Sequence, residues 1–129
     1  SGTSYGLVGV TYGNGLFVTV GWNGTILTSS DGITWTERTS GGNPLNGITY
    51  GNGLFVTVGL SGAILTSLDG TSWTERTSGT SDPLNGITYG NGIFVTVGGS
   101  GTILTSPDGI TWTSRTSGTS NNLNGVNFR

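Results

Sequence analysis

The chain has 129 residues, 26 of them Gly, a formal charge of −2, and no Cys, His, Lys or Met. The missing residue types exclude a zinc site of the usual kind, a Ser-His or Cys-His nucleophile, a disulfide framework and a P-loop, so we expect no metal, no cofactor and no catalytic residue. Only four arginines carry positive charge and no apolar run approaches the roughly 18 residues of a membrane span, so we expect no nucleic-acid partner and no membrane partner.

The chain consists of repeats. Residues 7–44 form the first copy, and residues 45–83 and 84–122 form two further copies of 39 residues each, identical at 30 positions. Residues 123–129 begin a fourth copy, and residues 117–129 have the same phase in the repeat as residues 1–13. Such near-identity indicates recent amplification or deliberate design, and identical units cannot each carry a separate catalytic role. We therefore expect one module of three equal structural units with a partial fourth.

Each copy contains four short segments rich in β-branched and aromatic residues. In the second copy they cover residues 47–50, 54–58, 63–66 and 72–76. Such segments favour half-buried strands, and none has the length or the 3.6-residue period of a helix. The sequence therefore predicts an all-β chain with four strands in each copy.

Turn signals separate the four segments. Asn52-Gly53 accepts the positive φ of a tight hairpin, residues 59–62 are rich in Gly, and Asp69-Gly70 is another hairpin signal. Many other glycines, such as Gly13 and Gly51, also stand where we expect fixed turn positions. Tight turns at this spacing make each copy a four-stranded antiparallel meander, the blade of a β-propeller. The alternative is a β-trefoil monomer, which also has three repeats of this length.

A longer pattern covers the region between the third and fourth predicted strands. Residues 24–35 read GTILTSSDGITW, and the pattern returns at residues 62–73 and 101–112. It resembles the Asp-box, or BNR, repeat of sialidase-type propellers, and it is similar to the blades of Ycf48/HCF136-like propellers, although this chain has one residue fewer before the Trp. The resemblance implies a structural hairpin whose Asp accepts hydrogen bonds from backbone N–H groups and whose Trp packs between blades.

The residues that match the motif are a turn Asp, the Gly after it and a Trp. They are Asp31, Gly32 and Trp35; Asp69, Gly70 and Trp73; and Asp108, Gly109 and Trp112. We interpret them as structural, because Asp-Gly is a turn signal. One Asp per copy does not collect the six or more oxygens that a calcium ion prefers.

Arg38, Arg76 and Arg115 follow the three motifs at equal spacing. Sialidase-type enzymes bind the carboxylate of their substrate with an arginine cluster, so a fragment of such a hydrolase is one reading of the chain. The other catalytic residues of those enzymes have no counterpart that we can place, and residues of a fourth strand lie at the outer rim of a propeller. We therefore expect no enzyme activity, and we expect these arginines to bind a carboxylate or backbone group of a neighbouring blade.

Three blades do not close a ring, because propellers typically have four to eight blades. The open ends would expose apolar faces and favour association. We therefore expect a homo-oligomer, with a homodimer of six blades favoured over a homotrimer of nine. A C-terminal strand around residues 125–128 would complete a neighbouring blade by strand exchange, and only one of the two equivalent end segments can occupy a given inner-strand position.

Trp22 interrupts the repeat. In the loop between the second and third strands the other copies have Leu60 and Gly99 at this position. An exposed Trp beside Asn23 would stack on a sugar ring, and grooves between blades suit such a ligand. The sequence thus supports two classes of function: a non-catalytic structural scaffold that assembles into a ring, and, as the alternative, a glycan-binding, lectin-like module.

Overall fold

The computed structural model describes residues 6–38 and 43–126, apart from the side chain of Asn23. In these ranges the chain forms twelve β-strands and three single-turn 3₁₀ helices. The helices lie at Trp22–Gly24, Leu60–Gly62 and Gly99–Gly101. No helix in this described part is long and apolar enough to cross a membrane.

The strands come in groups of four, one group in each repeat. Blade 1 contains β1 (Leu7–Gly13), β2 (Leu16–Gly21), β3 (Ile26–Ser29) and β4 (Thr36–Arg38). Blade 2 contains β5 (Leu45–Gly51), β6 (Leu54–Gly59), β7 (Ile64–Ser67) and β8 (Thr74–Arg76). Blade 3 contains β9 (Leu84–Gly90), β10 (Ile93–Gly98), β11 (Ile103–Ser106) and β12 (Thr113–Arg115). Neighbouring strands of a blade pair antiparallel in chain order, so each blade is a meander.

The three meanders are separate sheets. Among the described residues no ladder joins a strand of one blade to a strand of another. Instead, the first strands β1, β5 and β9 lie side by side, and the sheets pack face to face. This arrangement confirms the predicted all-β propeller blades. The trefoil alternative is wrong, because a trefoil joins strands of different repeats into one barrel.

The strands of blade 2 differ from the predicted segments at their ends. β5 begins two residues earlier than predicted, because the ladder continues through a β-bulge at Asn46 to the pair between Leu45 and Gly59. β8 begins two residues later than predicted, because the N–H of Ser72 donates to the carboxylate of Asp69 and stays in the turn. Only the second difference comes from a side chain, that of Asp69, which binds outside the ladder.

The predicted Asn-Gly hairpins form between the first and second strands. Asn52 and Gly53 have φ angles of 51° and 76°, the left-handed conformations of a tight hairpin turn. The equivalent turns have φ angles of 51° and 76° at Asn14 and Gly15, and of 52° and 81° at Asn91 and Gly92. Few residues other than Asn and Gly adopt this conformation, so the backbone geometry explains the repeated dipeptide.

The hydrophobic core lies between the blades and not inside any one of them. The cluster between blades 1 and 2 consists of Val18, Val20, Ile26, Leu45, Ile48, Phe55 and Leu65. The cluster between blades 2 and 3 consists of Leu54, Val56, Val58, Ile64, Leu84, Phe94 and Leu104. Successive side chains of a strand point to opposite faces of a sheet, and both faces of the middle blade are buried. A blade therefore obtains its core only by stacking on a neighbour.

Candidate assembly site at the ends of the blade stack

Each blade has two different apolar faces. The leading face points to the following blade and carries aliphatic side chains of the second and third strands, which in blade 1 are Leu16, Val18, Val20 and Ile26. The trailing face receives the leading face of the preceding blade, and in blade 2 it carries Leu45, Ile48, Tyr50, Phe55, Leu65 and Trp73. The blades thus stack head to tail, with a leading face always against a trailing face.

Glycines fix the register between the two faces. The ring of Tyr50 on the trailing face of blade 2 lies against Gly13 of blade 1, and a Cβ at position 13 would overlap the ring. In the opposite direction, Leu16 of blade 1 reaches Gly70, where a Cβ would lie 2.5 Å from the Leu16 Cδ2 atom. The same two contacts recur between blades 2 and 3, at Tyr89 and Gly51 and at Leu54 and Gly109. The repeat therefore has one defined stacking geometry.

Aromatic side chains fill the trailing face. In blade 2 the ring centroids of Tyr50 and Phe55 are 4.6 Å apart, and those of Phe55 and Trp73 are 6.4 Å apart, both in the range of favourable tilted ring contacts. The indole Nε1 of Trp73 donates to the carbonyl oxygen of Gly70 at 2.9 Å, and Trp112 repeats this arrangement in blade 3. Two of the motif tryptophans therefore join the Asp-Gly turn to the contact between blades.

At the two ends of the described stack no complete blade covers these faces. Val10 on the trailing face of blade 1 is 65% exposed, whereas Ile48 at the same position of blade 2 is 9% exposed. Ile93 on the leading face of blade 3 is 39% exposed, whereas Leu54 at the same position of blade 2 is 8% exposed. The trailing face of blade 1 also carries Tyr12, Phe17 and Trp35. Each end therefore presents one half of a contact that occurs twice, in complete form, inside the chain.

The end of the described chain lies where the inner strand of a fourth blade would lie. The inner strands approach closely at one glycine per copy: a Cβ on Gly9 would be 3.5 Å from the Cα of Gly47, and a Cβ on Gly47 would be 3.6 Å from the Cα of Gly86. A Cβ on Gly86 would be 3.3 Å from the Cα of Gly125. Residues 123–126, which we call the tail, thus continue the series beyond β9.

A side-chain hydrogen bond repeats in the same register. The bulge residue Asn46 donates its Nδ2–H to the carbonyl oxygen of Leu84 at 3.0 Å, and Asn85 donates in the same way to Leu123 at 3.0 Å. The N–H of Leu123 also donates to the carbonyl oxygen of Gly98 at 2.9 Å. The tail thus occupies a position beside β9, and we call this position the seat.

Asp69 organises the turn between β7 and β8. Its Oδ1 accepts the N–H of Thr71 at 2.8 Å and that of Ser72 at 3.1 Å, and the hydroxyl of Ser67 donates to the same oxygen at 3.1 Å. The N–H of Gly70 donates to the Ser67 Oγ at 2.7 Å. The bonds to the carboxylate, above all the one from Thr71, hold the pKa of Asp69 below its ordinary value of 3.8.

Asp31 and Asp108 have the same surroundings in the other two blades. Oδ1 of Asp31 accepts the N–H of Thr34 at 3.0 Å and that of Ile33 at 2.8 Å, and Oδ1 of Asp108 accepts the N–H of Thr111 at 3.0 Å. These backbone bonds lower the pKa of both carboxyls, with Thr34 and Thr111 as the respective main causes. The following glycines have φ angles of 79°, 80° and 79° at Gly32, Gly70 and Gly109, which L side chains rarely adopt.

A serine two residues before each Asp completes the turn, and the sequence reading did not single it out. Ser29, Ser67 and Ser106 each place a hydroxyl between the Asp carboxylate and the Gly N–H. The repeated Ser-x-Asp-Gly spacing was the available signal, since such side chains bind nearby backbone groups in turns. The three carboxylates belong to separate blades, and the described residues include no group of three or more side chains placed to hold a metal ion.

The repeated arginines bind within their own blades. Nε of Arg76 donates to Oγ1 of Thr66 on the adjacent strand at 3.0 Å, and the same bond joins Arg38 to Thr28 and Arg115 to Thr105. The antiparallel register brings the threonine of the third strand within reach of Nε, and the expected contact of these arginines with a neighbouring blade stays a prediction. Each arginine lies on the outermost strand of its own sheet.

Trp22 follows β2 and is 60% exposed. The backbone N–H of Trp22 donates to the carbonyl oxygen of Gly6 at 3.0 Å, and a Cβ on Gly6 would lie 3.5 Å from the indole ring. One side of the ring thus rests on the segment before β1, and much of the remainder is open to solvent. The side chain of Asn23, the other residue predicted at this loop, lies outside the described part of the chain.

No protein-family model and no curated protein sequence matches the chain. Solved structures do match. YCF48 bound to a D1 peptide is similar with a TM-score of 0.74 at 22% identity, over 88% of this chain and 42% of that one. The computationally designed Ika4 protein is similar with a TM-score of 0.80 at 12% identity, over 100% of this chain and 83% of that one. A glycosyl hydrolase from Bacteroides ovatus has a TM-score of 0.57 at 16% identity, over 93% of this chain and 51% of that one.

These likenesses concern the fold. At identities of 22% and below, they show that the chain has the architecture of a β-propeller fragment. The chain spans 42% of the YCF48 protein that it matches, and it shares its fold with proteins of different activities. Function therefore has to be argued from this chain's own surfaces.

Proposed function

We propose that the chain is a non-catalytic structural module, an Asp-box-type propeller fragment whose copies assemble into a closed ring. The pair of uncovered end faces carries this proposal. Val10 and Ile93 are 65% and 39% exposed, whereas their equivalents Ile48 and Leu54 are 9% and 8% exposed inside the stack. Covering both faces would remove apolar surface from water, and each Å² buried would stabilise the assembly by roughly 25 cal/mol. A leading face already fits a trailing face, because each chain contains that contact twice.

The favoured ring contains two copies. Every contact joins a leading face to a trailing face, so the interface between copies is heterologous and closes only when the rotation completes a circle. Two chains of three blades supply six blades, within the typical range of four to eight, whereas three chains supply nine. At each new contact, Tyr12 of one copy would lie against Gly90 of the other, in the manner of Tyr50 against Gly13.

A scaffold role agrees with how the polar groups of the repeat are used. The carboxylates of Asp31, Asp69 and Asp108 accept backbone hydrogen bonds of their own turns. The three repeated arginines lie on separate outermost strands and do not converge on a substrate carboxylate. These observations support the proposal that the repeat is a structural unit without hydrolase activity.

Absolute mass in solution tests the assembly. The chain has a mass of 13.1 kDa, and we expect a two-chain species that dissociates on dilution. Val10→Glu should abolish this species, because the contact would bury an unpaired charge, and it should leave the monomer folded. Ile33→Glu is the control, since Ile33 is 83% exposed and its equivalent Thr71 stays exposed where blades 1 and 2 are in contact. A monomeric wild type at all concentrations would contradict the proposal, as would Val10→Glu dimers as tight as those of Ile33→Glu.

A glycan-binding, lectin-like role is the second candidate, and the exposure of Trp22 favours it. An indole that is 60% exposed offers an apolar face to a sugar ring and a polar edge to its hydroxyls. Titration of tryptophan fluorescence with simple saccharides tests this role. Trp22→Ala should lose binding, and Leu60→Ala, at the equivalent loop position of blade 2, should keep it. Absence of binding in the wild type, or equal binding in both variants, would contradict the lectin role.

A further inference from the structure

The tail occupies the place that the assembly contact requires. By the repeat, residues 123–126 have the phase of the first residues of β1. In the ring, β1 of a second copy would lie beside β9, with its Gly9 at the position of Gly125. A Cβ on Gly86 would be only 3.3 Å from the Cα of Gly125, so the seat holds one backbone. The tail and the β1 strand of a second copy therefore exclude each other.

We propose that the tail is an intramolecular competitor for the seat on blade 3, which leaves before a second copy docks and so sets the concentration at which the ring closes. The inference rests on the proposed self-assembly and adds a regulation of the same contact. The partner is a second copy of this chain, because both faces of the contact occur in the chain itself.

The tail is held less firmly than the strand that it excludes. Leu123 accepts one hydrogen bond from Asn85 and donates one to Gly98, and none of the tail residues belongs to a strand. β1 pairs with β2 through six residue pairs, with one register shift between Leu7 and Gly9. Segments with few backbone bonds open at the lowest free energy. Docking therefore displaces the tail and leaves β1 paired within its own blade.

The repeat phase also argues against the converse exchange, in which the tail would replace β1 of a partner. β1 ends in Gly13, where a Cβ would overlap the ring of Tyr50. The equivalent position after the tail is Arg129. Residues 127–129 lie outside the described residues, so this step rests on the sequence: a strand ending in Arg does not fit the place of one that must end in Gly.

Removal of residues 123–129 tests the competition directly. We expect the dissociation constant of the dimer to fall by about a hundredfold or more, because both tails must leave to close the ring, and a docking-competent state populated at ~10% or less in each chain weakens the apparent affinity by the product of the two fractions. Sedimentation equilibrium of both chains gives this ratio. A shortened chain that dimerises no more tightly than the full chain would overturn the competition. A weaker dimer would overturn it too, since the tail would then be part of the contact.

A milder pair of variants serves if the shortened chain fails to fold. The N–H of Ser100 donates to Oδ1 of Asn122 at 3.0 Å, which anchors the chain immediately before the tail, whereas the side chain of Asn121 is exposed. Asn122→Ala should loosen the tail and strengthen dimerisation, and Asn121→Ala should leave it unchanged. Dimers of equal affinity in these two variants would refute the role of the tail.

The tail regulation and the self-assembly fail in distinguishable ways. If the wild type dimerises and removal of residues 123–129 changes nothing, the tail regulation is wrong and self-assembly stands. If the wild type and the shortened chain both remain monomeric at all concentrations, self-assembly itself is wrong.

Discussion

The ring of Tyr50 lies against the backbone of Gly13 in the preceding blade, so closely that any side chain at position 13 would overlap it. The same pair recurs at Tyr89 and Gly51. Gly13 is not among the residues with a positive φ, so its neighbour in the next blade, and not its own backbone, requires the glycine. The pair makes the contact between blades specific in register as well as apolar.

Gly13→Ala should weaken the contact between blades 1 and 2 because its Cβ needs the space of the Tyr50 ring. We expect the free energy of unfolding, measured by urea denaturation, to fall by about 1–3 kcal/mol, as for other overpacked sites. Tyr50→Ala removes the ring, so in the double variant Gly13→Ala should cost little more. Strictly additive effects in this double-mutant cycle would refute the steric pair.

Phe55 and Phe17 occupy the same position in blades 2 and 1, and in the described stack only blade 2 has a preceding blade packed against it. Phe55 is 0% exposed between blades 1 and 2, whereas Phe17 is half-buried on the uncovered trailing face of blade 1. Phe55→Ala should therefore lower the free energy of unfolding by about 3–5 kcal/mol, and Phe17→Ala by less in dilute protein. Ring closure would bury Phe17 fully, so the loss of unfolding free energy caused by Phe17→Ala should rise with protein concentration. Equal costs in dilute protein would contradict the uncovered face.

The fold was predictable because its signals are local. Asn52-Gly53 predicts a hairpin from two residues alone, since few other residue types adopt their φ angles of 51° and 76°. The all-β class and the four strands per copy followed from such turns and the segments between them. The start of β8 did not, because the backbone N–H of Ser72 binds the carboxylate of Asp69 instead of the ladder, and strand propensity does not predict such a bond.

The candidate assembly site was predictable only in outline. Repeat counting indicated open ends, but Gly13, expected at a turn, is the last residue of β1 and is needed by Tyr50 of the next copy. Such a requirement arises from packing between distant residues, which a single sequence does not reveal. The motif Asp was visible in the sequence, whereas the contribution of Ser67 to its turn emerged from the hydrogen bonds. The roles assigned to these turns remain predictions.

The lowered pKa of Asp69 gives the stability a pH dependence of defined sign. The folded chain holds this carboxyl below its ordinary pKa of 3.8, so the carboxylate stabilises the folded state above that value and the contribution is lost as the pH falls through the lowered pKa. Asp69→Asn should therefore reduce the loss of unfolding free energy between about pH 6 and pH 3. Glu75→Gln is the matched control, because it removes one carboxylate on β8 outside the turn. An equal pH dependence in both variants would exclude the turn as the cause.

The direction of assembly can be tested by blocking one face at a time. Val10→Glu places a charge on the trailing face of blade 1, and Ile93→Glu places one on the leading face of blade 3, at side chains that are 65% and 39% exposed. If copies bind head to tail, each variant alone lacks one half of the contact and stays monomeric. A mixture should form a heterodimer, because the leading face of the first variant and the trailing face of the second are both intact.

Native mass spectrometry with one variant isotopically labelled distinguishes the two chains. Homodimers of either variant alone would instead indicate that like faces bind each other, and a closed propeller ring could not then follow from this contact.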